Sequence, residues 1–384
     1  MNEENLISTI ENFIDNGEID QAEHFIAKYL EDDDVSSEPD LFFMLHMYLA
    51  EIFRRKSRFE KAKKILHKIM LSKNQISNKF IISGTLNELS HIERLQGNLN
   101  KAIECRKRHI DFAREIGDDY EIAVGYGEMG LLYLTIGNFP EAKTRLEKAI
   151  ELDKKMIRSS IKLRDSESSY ACHLGYLANI HLHLGEYDNA IDTFNHVIKI
   201  NESLGNKWLL ADNYQNMGNL CQEIEKWDDA IKYYEKALKL AKKQNYRNCE
   251  LSVYIGLSGV YFKSQKDLTK AIKYTQMVIK VGKVLGSKHQ VALAYKNMGI
   301  FYENQKEYSK AIDNLLLSKE LLVVSEDFQY LLEIFYDLGR IYLKLEDIKN
   351  AEFYFQKGLN LSKDIDSKEW IDNFLKILKI ILSI

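Results

Sequence analysis

Apolar residues recur along this chain at intervals of three and four, the spacing that gathers them on one side of an α-helix, and they do so over nearly its whole length. The segment YQNMGNLCQEIEKWDDAIKYYEKALKLAKK shows the unit. Met217, Gly218 and Cys221 share one face of a first helix, and Trp227, Ala230, Tyr234 and Ala237 share one face of a second. A small residue opening the second pattern stands at Ala22, Ala62, Ala102, Ala142, Ala190, Ala230, Ala271, Ala311 and Ala351, at intervals of 40, 40, 40, 48, 40, 41, 40 and 40. These intervals predict nine stacked helix–turn–helix units, because one pair of helices cannot cover its own apolar face. Glycine at positions 130, 218, 299 and 339, twelve residues before the alanine of its repeat, carries no Cβ and lets the second helix approach closely. That closeness must offset about 1 kcal/mol of lost helix propensity.

Within this frame NMGNLCQEIEKWDDAIKYYEKALKL and DLGRIYLKLEDIKNAEFYFQKGLNL resemble tetratricopeptide repeats, over residues 3–364. The 40-residue period and the linking segments REIGDDYEIAVGYGEMG, ESLGNKWLLADNYQNMG and KVLGSKHQVALAYKNMG are similar to the longer-helix members found in Pins-type scaffolds and in bacterial peptide-pheromone receptors. The proline that commonly closes the second helix in that family is missing. The resemblance implies an all-α fold, a right-handed superhelical solenoid of about nine repeats. It also implies a function: a non-enzymatic scaffold holding a peptide or protein segment in its concave groove, as an adaptor or peptide sensor that regulates a partner.

Two irregularities interrupt the period. Residues 154–168, KKMIRSSIKLRDSES, add eight residues and predict a lengthened helix and loop, and SQKDLTK adds one before Ala271. After the ninth unit, residues 367–384 place Ile371, Phe374, Leu375, Leu378, Ile381 and Leu382 on one face and Asp372, Asn373, Lys376 and Lys379 on another. This amphipathic helix is too short and too charged to span a bilayer. Its expected role is to cap the last repeat, with a homodimer seam as the alternative.

Composition removes other classes. Two prolines in 384 residues suit uninterrupted helix, and 45% hydrophobic content is enough for a large core. A net charge of -4 with a pI near 6.2 gives no global attraction to nucleic acid. The acidic start MNEENLISTIENFIDNGEID lacks the basic and apolar regions of a signal peptide, so a cytoplasmic location is expected. Cys105, Cys172, Cys221 and Cys249 form no CxxC pair and are read as reduced, partly buried thiols.

Charge is uneven along the chain. Residues 1–53 carry one basic side chain against fourteen acidic, and residues 54–114 carry sixteen against five. Attraction between these stretches is the simplest expectation. The alternative is a polyanion or nucleic-acid surface built on Arg54, Arg55, Lys56, Arg58, Lys61, Lys63 and Lys64, although no recognised nucleic-acid motif accompanies it.

No cofactor, metal or catalytic constellation emerges. GYGEMG, Gly125 to Gly130, matches G-x-G-x-x-G but falls inside a helix instead of a strand-to-helix turn, and GLSG at 256–259 lacks nucleophile-elbow spacing. His181 and His183 point about 200° apart on a helix and cannot share a metal.

In tetratricopeptide arrays the first helix of each pair lines the ligand groove. The resemblance therefore implicates Asn87, His91 and Arg94 in repeat 3, Tyr176, Asn179 and His183 in repeat 5, and Asp212, Gln215, Asn216, Asn219 and Gln222 in repeat 6. It adds Lys296 and Asn297 in repeat 8, and Tyr336 and Arg340 in repeat 9. A carboxamide carries both donor and acceptor, so a row of them can hold a peptide backbone without reading its side chains. Met44, Met47, Gly127 and Leu131 stand at the equivalent places of repeats 2 to 4, either accepting an apolar side chain or serving as internal packing. The two-carboxylate clamp that the family uses for chaperone tails is not assembled, since Lys296 and Asn297 lack basic partners in order.

Overall fold

The computed structural model describes residues 3–15, 18–31, 35, 37–325 and 327–381. They form nineteen helices, one 3-10 turn and no strand among the described residues. Nine hairpins follow in order: α1 (Glu3–Asp15) with α2 (Ile19–Leu30), α3 (Pro39–Arg55) with α4 (Phe59–Leu71), α5 (Lys79–Leu95) with α6 (Leu99–Ile116), α7 (Asp119–Ile136) with α8 (Phe139–Arg158), and α9 (Leu163–His183) with α10 (Tyr187–Leu204). Then come α11 (Lys207–Glu223) with α12 (Trp227–Lys243), α13 (Arg247–Lys263) with α14 (Leu268–Leu285), α15 (Lys288–Asn304) with α16 (Tyr308–Ser325), and α17 (Phe328–Lys344) with α18 (Ile348–Asp364). A single helix, α19 (Lys368–Ile381), ends the described chain. The chain divides into two compact units, residues 1–200 and 201–384.

Local chemistry explains the boundaries. Pro39 and Pro140 both lie in the first turn of a helix, where a missing N–H costs nothing. Asp118, Asn138, Asn206, Asp267 and Asp347 cap helix starts by accepting backbone N–H bonds. The insertion at 154–168 lengthens α8 to 20 and α9 to 21 residues, against 17 or 18 in most of the helices that follow α5.

All nine repeat alanines lie on second helices and are fully buried. At Gly130, Gly218, Gly299 and Gly339 the gap is filled by the side chain four residues past the alanine of the same repeat. A Cβ on Gly130 would lie 2.6 Å from Leu146, and one on Gly299 2.7 Å from Leu315, so neither site admits even a methyl group without displacing its neighbour. In the second unit α19 lays Phe374, Leu378 and Ile381 against Leu332, Phe355 and Leu359. Leu375 and Ile380 face outward, and Leu382 lies outside the described residues. Met44 and Met47 are buried in the first core, and the His173 ring lies over Gly127, so these positions are internal packing.

Candidate functional site

In the second unit, first helices α11, α13 and α15 wall a cavity of about 560 Å³. Its sides carry Gln215, Asn219, Gln222, Ser252, Ser258 and Asn297 together with one charged residue, the exposed Lys263, and its apolar part is Ile255, Phe262, Ile300 and Phe301. Amides around an apolar floor are what a backbone-holding trench needs.

Tyr234 builds this trench from behind. It sits on the second helix α12 and is fully buried, because the glycines at 218 and 256 leave room for its ring on two sides: a Cβ on Gly218 would lie 2.6 Å from ring carbon Cδ1, and one on Gly256 2.6 Å from the hydroxyl. The ring thus passes between α11 and α13. Its hydroxyl donates to Asn219 Oδ1 at 2.7 Å and lies 3.2 Å from Gln222 Oε1. With their carbonyl oxygens turned to the phenol, both amides keep N–H groups for a guest. Burial pushes the Tyr234 pKa far up, so the hydroxyl stays a donor at any physiological pH.

Asp212 stands one helical turn before Gln215 on α11. It accepts a hydrogen bond from Tyr246 Oη at 3.1 Å and a further one from the Cys249 thiol. Both donors are neutral. Burial therefore wins over the hydrogen bonds and raises the Asp212 pKa to about 6.

Three further predicted residues of this unit, Lys296, Arg340 and Tyr336, are engaged within the protein. Lys296 pairs with Glu333, and Arg340 Nη2 lies 2.8 Å from Glu303 Oε2, a buried carboxylate that Lys344 also meets at 2.8 Å. Tyr336 packs edge-on against Phe355, Trp370 and Phe374. Asn216 is half-buried on α11 and is not part of the cavity wall.

The first unit presents a different first-helix surface. Asn87 Oδ1 accepts from Arg106 Nη1 at 2.7 Å, and Arg106 is itself 1% exposed, 4.0 Å from Glu128, with its Nε unpartnered. Burial, and then the charges of Arg106, Arg54 and Arg94, hold the His91 pKa down to about 3. The Arg94 Nε is buried without a partner. Tyr176 and Asn179 are half-buried, burial pushes the Tyr176 pKa far up, and His183 stacks on Phe139 at 5.3 Å.

Most of the basic strip is neutralised inside this unit. Arg54 meets Glu88 at 2.5 Å, Arg55 meets Glu51 at 2.8 Å, Lys63 meets Glu93 at 2.9 Å, Arg58 meets Glu23 at 3.6 Å, and Lys56 pairs with Asp20 and Glu23. Lys61 lies over the Phe53 ring. Lys64 is exposed.

Sequence reading missed Tyr234 as the support of the amides and the seventh repeat as the trench floor. The signal for the first was present: at the place four residues past the alanine, Ile26, Leu66, Leu146, Phe194, Leu315 and Phe355 are apolar, and Arg106, Tyr234 and Thr275 break the column. Ile255 and Phe262 carried no such mark, because apolar residues on a helix read as core.

Stacked two-helix units with small residues at every crossing define a helical-repeat binding protein. Family profiles described as tetratricopeptide repeat match residues 82–155, 169–243, 128–203 and 332–365, together about half of the chain, and the chain belongs to that family. Among relatives, response regulator aspartate phosphatase I of Bacillus subtilis (strain 168) is 29% identical over 110 residues, 29% of this chain and 28% of that protein. The match thus spans little more than a quarter of that relative's length. The apo form of the quorum sensor NprR from B. thuringiensis superposes with a TM-score of 0.62 at 17% identity, covering 93% of this chain and 98% of that one. The Rap conjugation gene regulator of plasmid pLS20, in complex with the Phr* peptide, gives 0.56 at 15% identity, covering 93% and 96%. Among the described residues no helix is long and apolar enough to cross a membrane.

Proposed function

We propose that this protein is a peptide-binding regulator whose second unit holds an extended peptide in the trench of α11, α13 and α15, and which acts on a partner by contact, without a reaction of its own. The observation that carries the reading is the row Gln215, Asn219, Gln222 and Asn297 around an apolar floor, with Tyr234 turning two of the amides outward. The similarity in fold to a regulator solved with a peptide agrees with it. In this reading α19 is a cap, since its broadest apolar stripe is spent on the last hairpin and leaves Leu375 and Ile380 as the apolar basis for a dimer. The nucleic-acid alternative has no comparable support, because the cations it needs are mostly paired.

The test starts with a pool of synthetic random hexapeptides. Those retained by the full chain are identified by mass spectrometry, and the recovered peptide is titrated by fluorescence anisotropy. Each lost backbone hydrogen bond weakens binding by about 0.5–1.5 kcal/mol, so Asn219→Ala with Asn297→Ala should cost roughly tenfold or more in affinity with the fold retained, the buried Tyr234 hydroxyl keeping Gln222 Oε1 as its acceptor at a modest cost in Tm. Undiminished affinity in that variant overturns the trench. Hydrolysis of an aspartyl phosphate on a response regulator by this chain would overturn the non-enzymatic part.

A further inference from the structure

The second unit carries another concavity, formed by second helices α14 and α16 with the first half of α15, and it shares no lining residue with the amide trench. Between α14 and α16 lies a cavity of about 520 Å³ lined by Gly282, Gly286, Val291, Tyr295, Leu317, Leu321 and Val324, with Lys283, Lys288 and Glu320 at its edges. The walls have the form of a helix seat. Leu317, Leu321 and Val324 are spaced i, i+4 and i+7 and make an apolar ridge on α16. Opposite, α14 packs Gly282 directly against Val291 of α15, where a Cβ would lie 2.7 Å from Val291 Cγ2, and open space remains only at Gly286, the left-handed residue that ends α14. Val324 is 71% and Leu317 44% exposed, and neighbouring Val284 and Val323 are 76% and 55% exposed. Apolar side chains so grouped mark a contact surface.

Charge selects the occupant. Lys283 is fixed on the α14 side, donating to Tyr295 Oη at 3.0 Å, and Lys288 is exposed beside it. Neither lies within 4 Å of a carboxylate among the described residues, so that edge is positive and unneutralised. Glu320 sits on the opposite edge. A second copy of this chain would offer α19, whose outward apolar residues Leu375 and Ile380 are flanked by two exposed lysines, Lys376 and Lys379, and one exposed carboxylate, Asp372, so the flank is net positive. Lysine against lysine disfavours that pairing. We infer that the α14–α16 groove is a docking site for an amphipathic helix of a partner protein, seated by apolar residues at i, i+4 and i+7 and carrying carboxylates on the flank that meets Lys283 and Lys288. The site shares no residue with the trench and stands or falls separately from it.

The probe is a stapled amphipathic helix of about 14 residues with leucine at i, i+4 and i+7 and glutamate on both flanks, and its twin has lysine in place of glutamate. Anisotropy titration of the full chain at low ionic strength should give saturable binding of the glutamate helix and about tenfold weaker binding of the lysine helix. Val324→Asp, at an exposed position that leaves the fold intact, should lower affinity for the glutamate helix by about tenfold or more. Lys288→Glu should shrink the preference between the twins. Equal binding of both helices, no binding of either, or indifference to Val324→Asp overturns the inference. So does a dimer of the unmodified protein, seen by sedimentation, that Val324→Asp dissolves, since a second copy would then be the occupant.

Discussion

Arg106 and Tyr234 occupy the same place in two hairpins, four residues past the buried alanine and pressed against the first helix, one in each unit. Tyr234 fits the slot as an apolar ring and carries its single polar atom through to the amides of Asn219 and Gln222. Arg106 brings a full charge into the same depth. It reaches Asn87 at 2.7 Å, stands 4.0 Å from Glu128, leaves its Nε without a partner, and contributes to holding His91 neutral. One slot thus sets the character of the surface in front of it: neutral donors in the second unit, a positive field in the first. A guest's backbone suits the former. The latter is shaped by buried electrostatics that give stability little net help.

The largest effect separates the two residues. Tyr234→Ala should cost about 4 kcal/mol, the usual loss for an aromatic core side chain, whereas Arg106→Leu should change stability by only about 1 kcal/mol in either direction, because leucine already fills this place at 66 and 146. The readouts are unit-specific: Trp208, Trp227 and Trp370 all lie in the second unit and report its unfolding by fluorescence, while hydrogen exchange over α5 and α6 reports the first. A loss from Arg106→Leu as large as that from Tyr234→Ala would break the comparison.

Acid should push the units in opposite directions. His91 has a folded pKa of about 3 against an ordinary value of 6.5, so its contribution is present above about 6.5 and is lost as pH falls toward 3. Asp212 is raised to about 6 from 3.8, so its contribution is fully present below about 3.8 and is lost as pH rises through 6. Asp337, raised by burial, acts in the same sense. Lowering pH from 6.5 to 4 should therefore weaken exchange protection in α5 while raising the midpoint of tryptophan-detected unfolding in denaturant. Asp212→Asn should flatten the second profile and His91→Gln the first, each by an amount on the order of 1–3 kcal/mol across the window. Parallel profiles in the two units would remove the electrostatic distinction.

The repeat was readable because its marks are local: an alanine every 40 residues and a small residue twelve positions earlier need no knowledge of neighbours. Gln215, Asn219 and Gln222 of repeat 6 and Asn297 of repeat 8 follow from the same register, whereas Asn216, picked out by that register too, is not part of the cavity wall. What escaped depends on contacts one repeat away. Lys296 with Glu333, Arg54 with Glu88 and Lys344 with Glu303 are separated by 37, 34 and 41 residues, and their engagement turns exposed-looking cations into internal ties. Scanning for opposite charges one period apart would have found them. The floor residues Ile255 and Phe262 could not be found that way, since whether an apolar helix face meets a neighbour or a cavity depends on packing, which the pattern leaves open.

The smallest expected effect also divides the units, at the turn between the helices of each hairpin. Five or six residues before the repeat alanine the backbone enters the left-handed region: at Ser57, Gly97, Gly137 and Gly185 in the first unit, and at Glu225, Gln265, Lys306 and Glu346 in the second. The φ values run from 54° to 83°, so the turn geometry is shared and only the residue type differs. A side chain there crowds its own carbonyl at a cost of about 1 kcal/mol, which glycine avoids, while glycine gives back part of that gain through a freer unfolded chain. Lys306→Gly should therefore stabilise the second unit by roughly 0.5 kcal/mol and raise its tryptophan-detected Tm by about 1–2 °C, with Glu346→Gly adding a similar increment. In the first unit the reverse substitution, Gly137→Ala, should cost about 1 kcal/mol, since nothing packs within 4 Å of the new methyl group and the backbone alone bears the change. A fall in Tm on Lys306→Gly would mean that the non-glycine turns of the second unit are held by side-chain contacts and not merely tolerated.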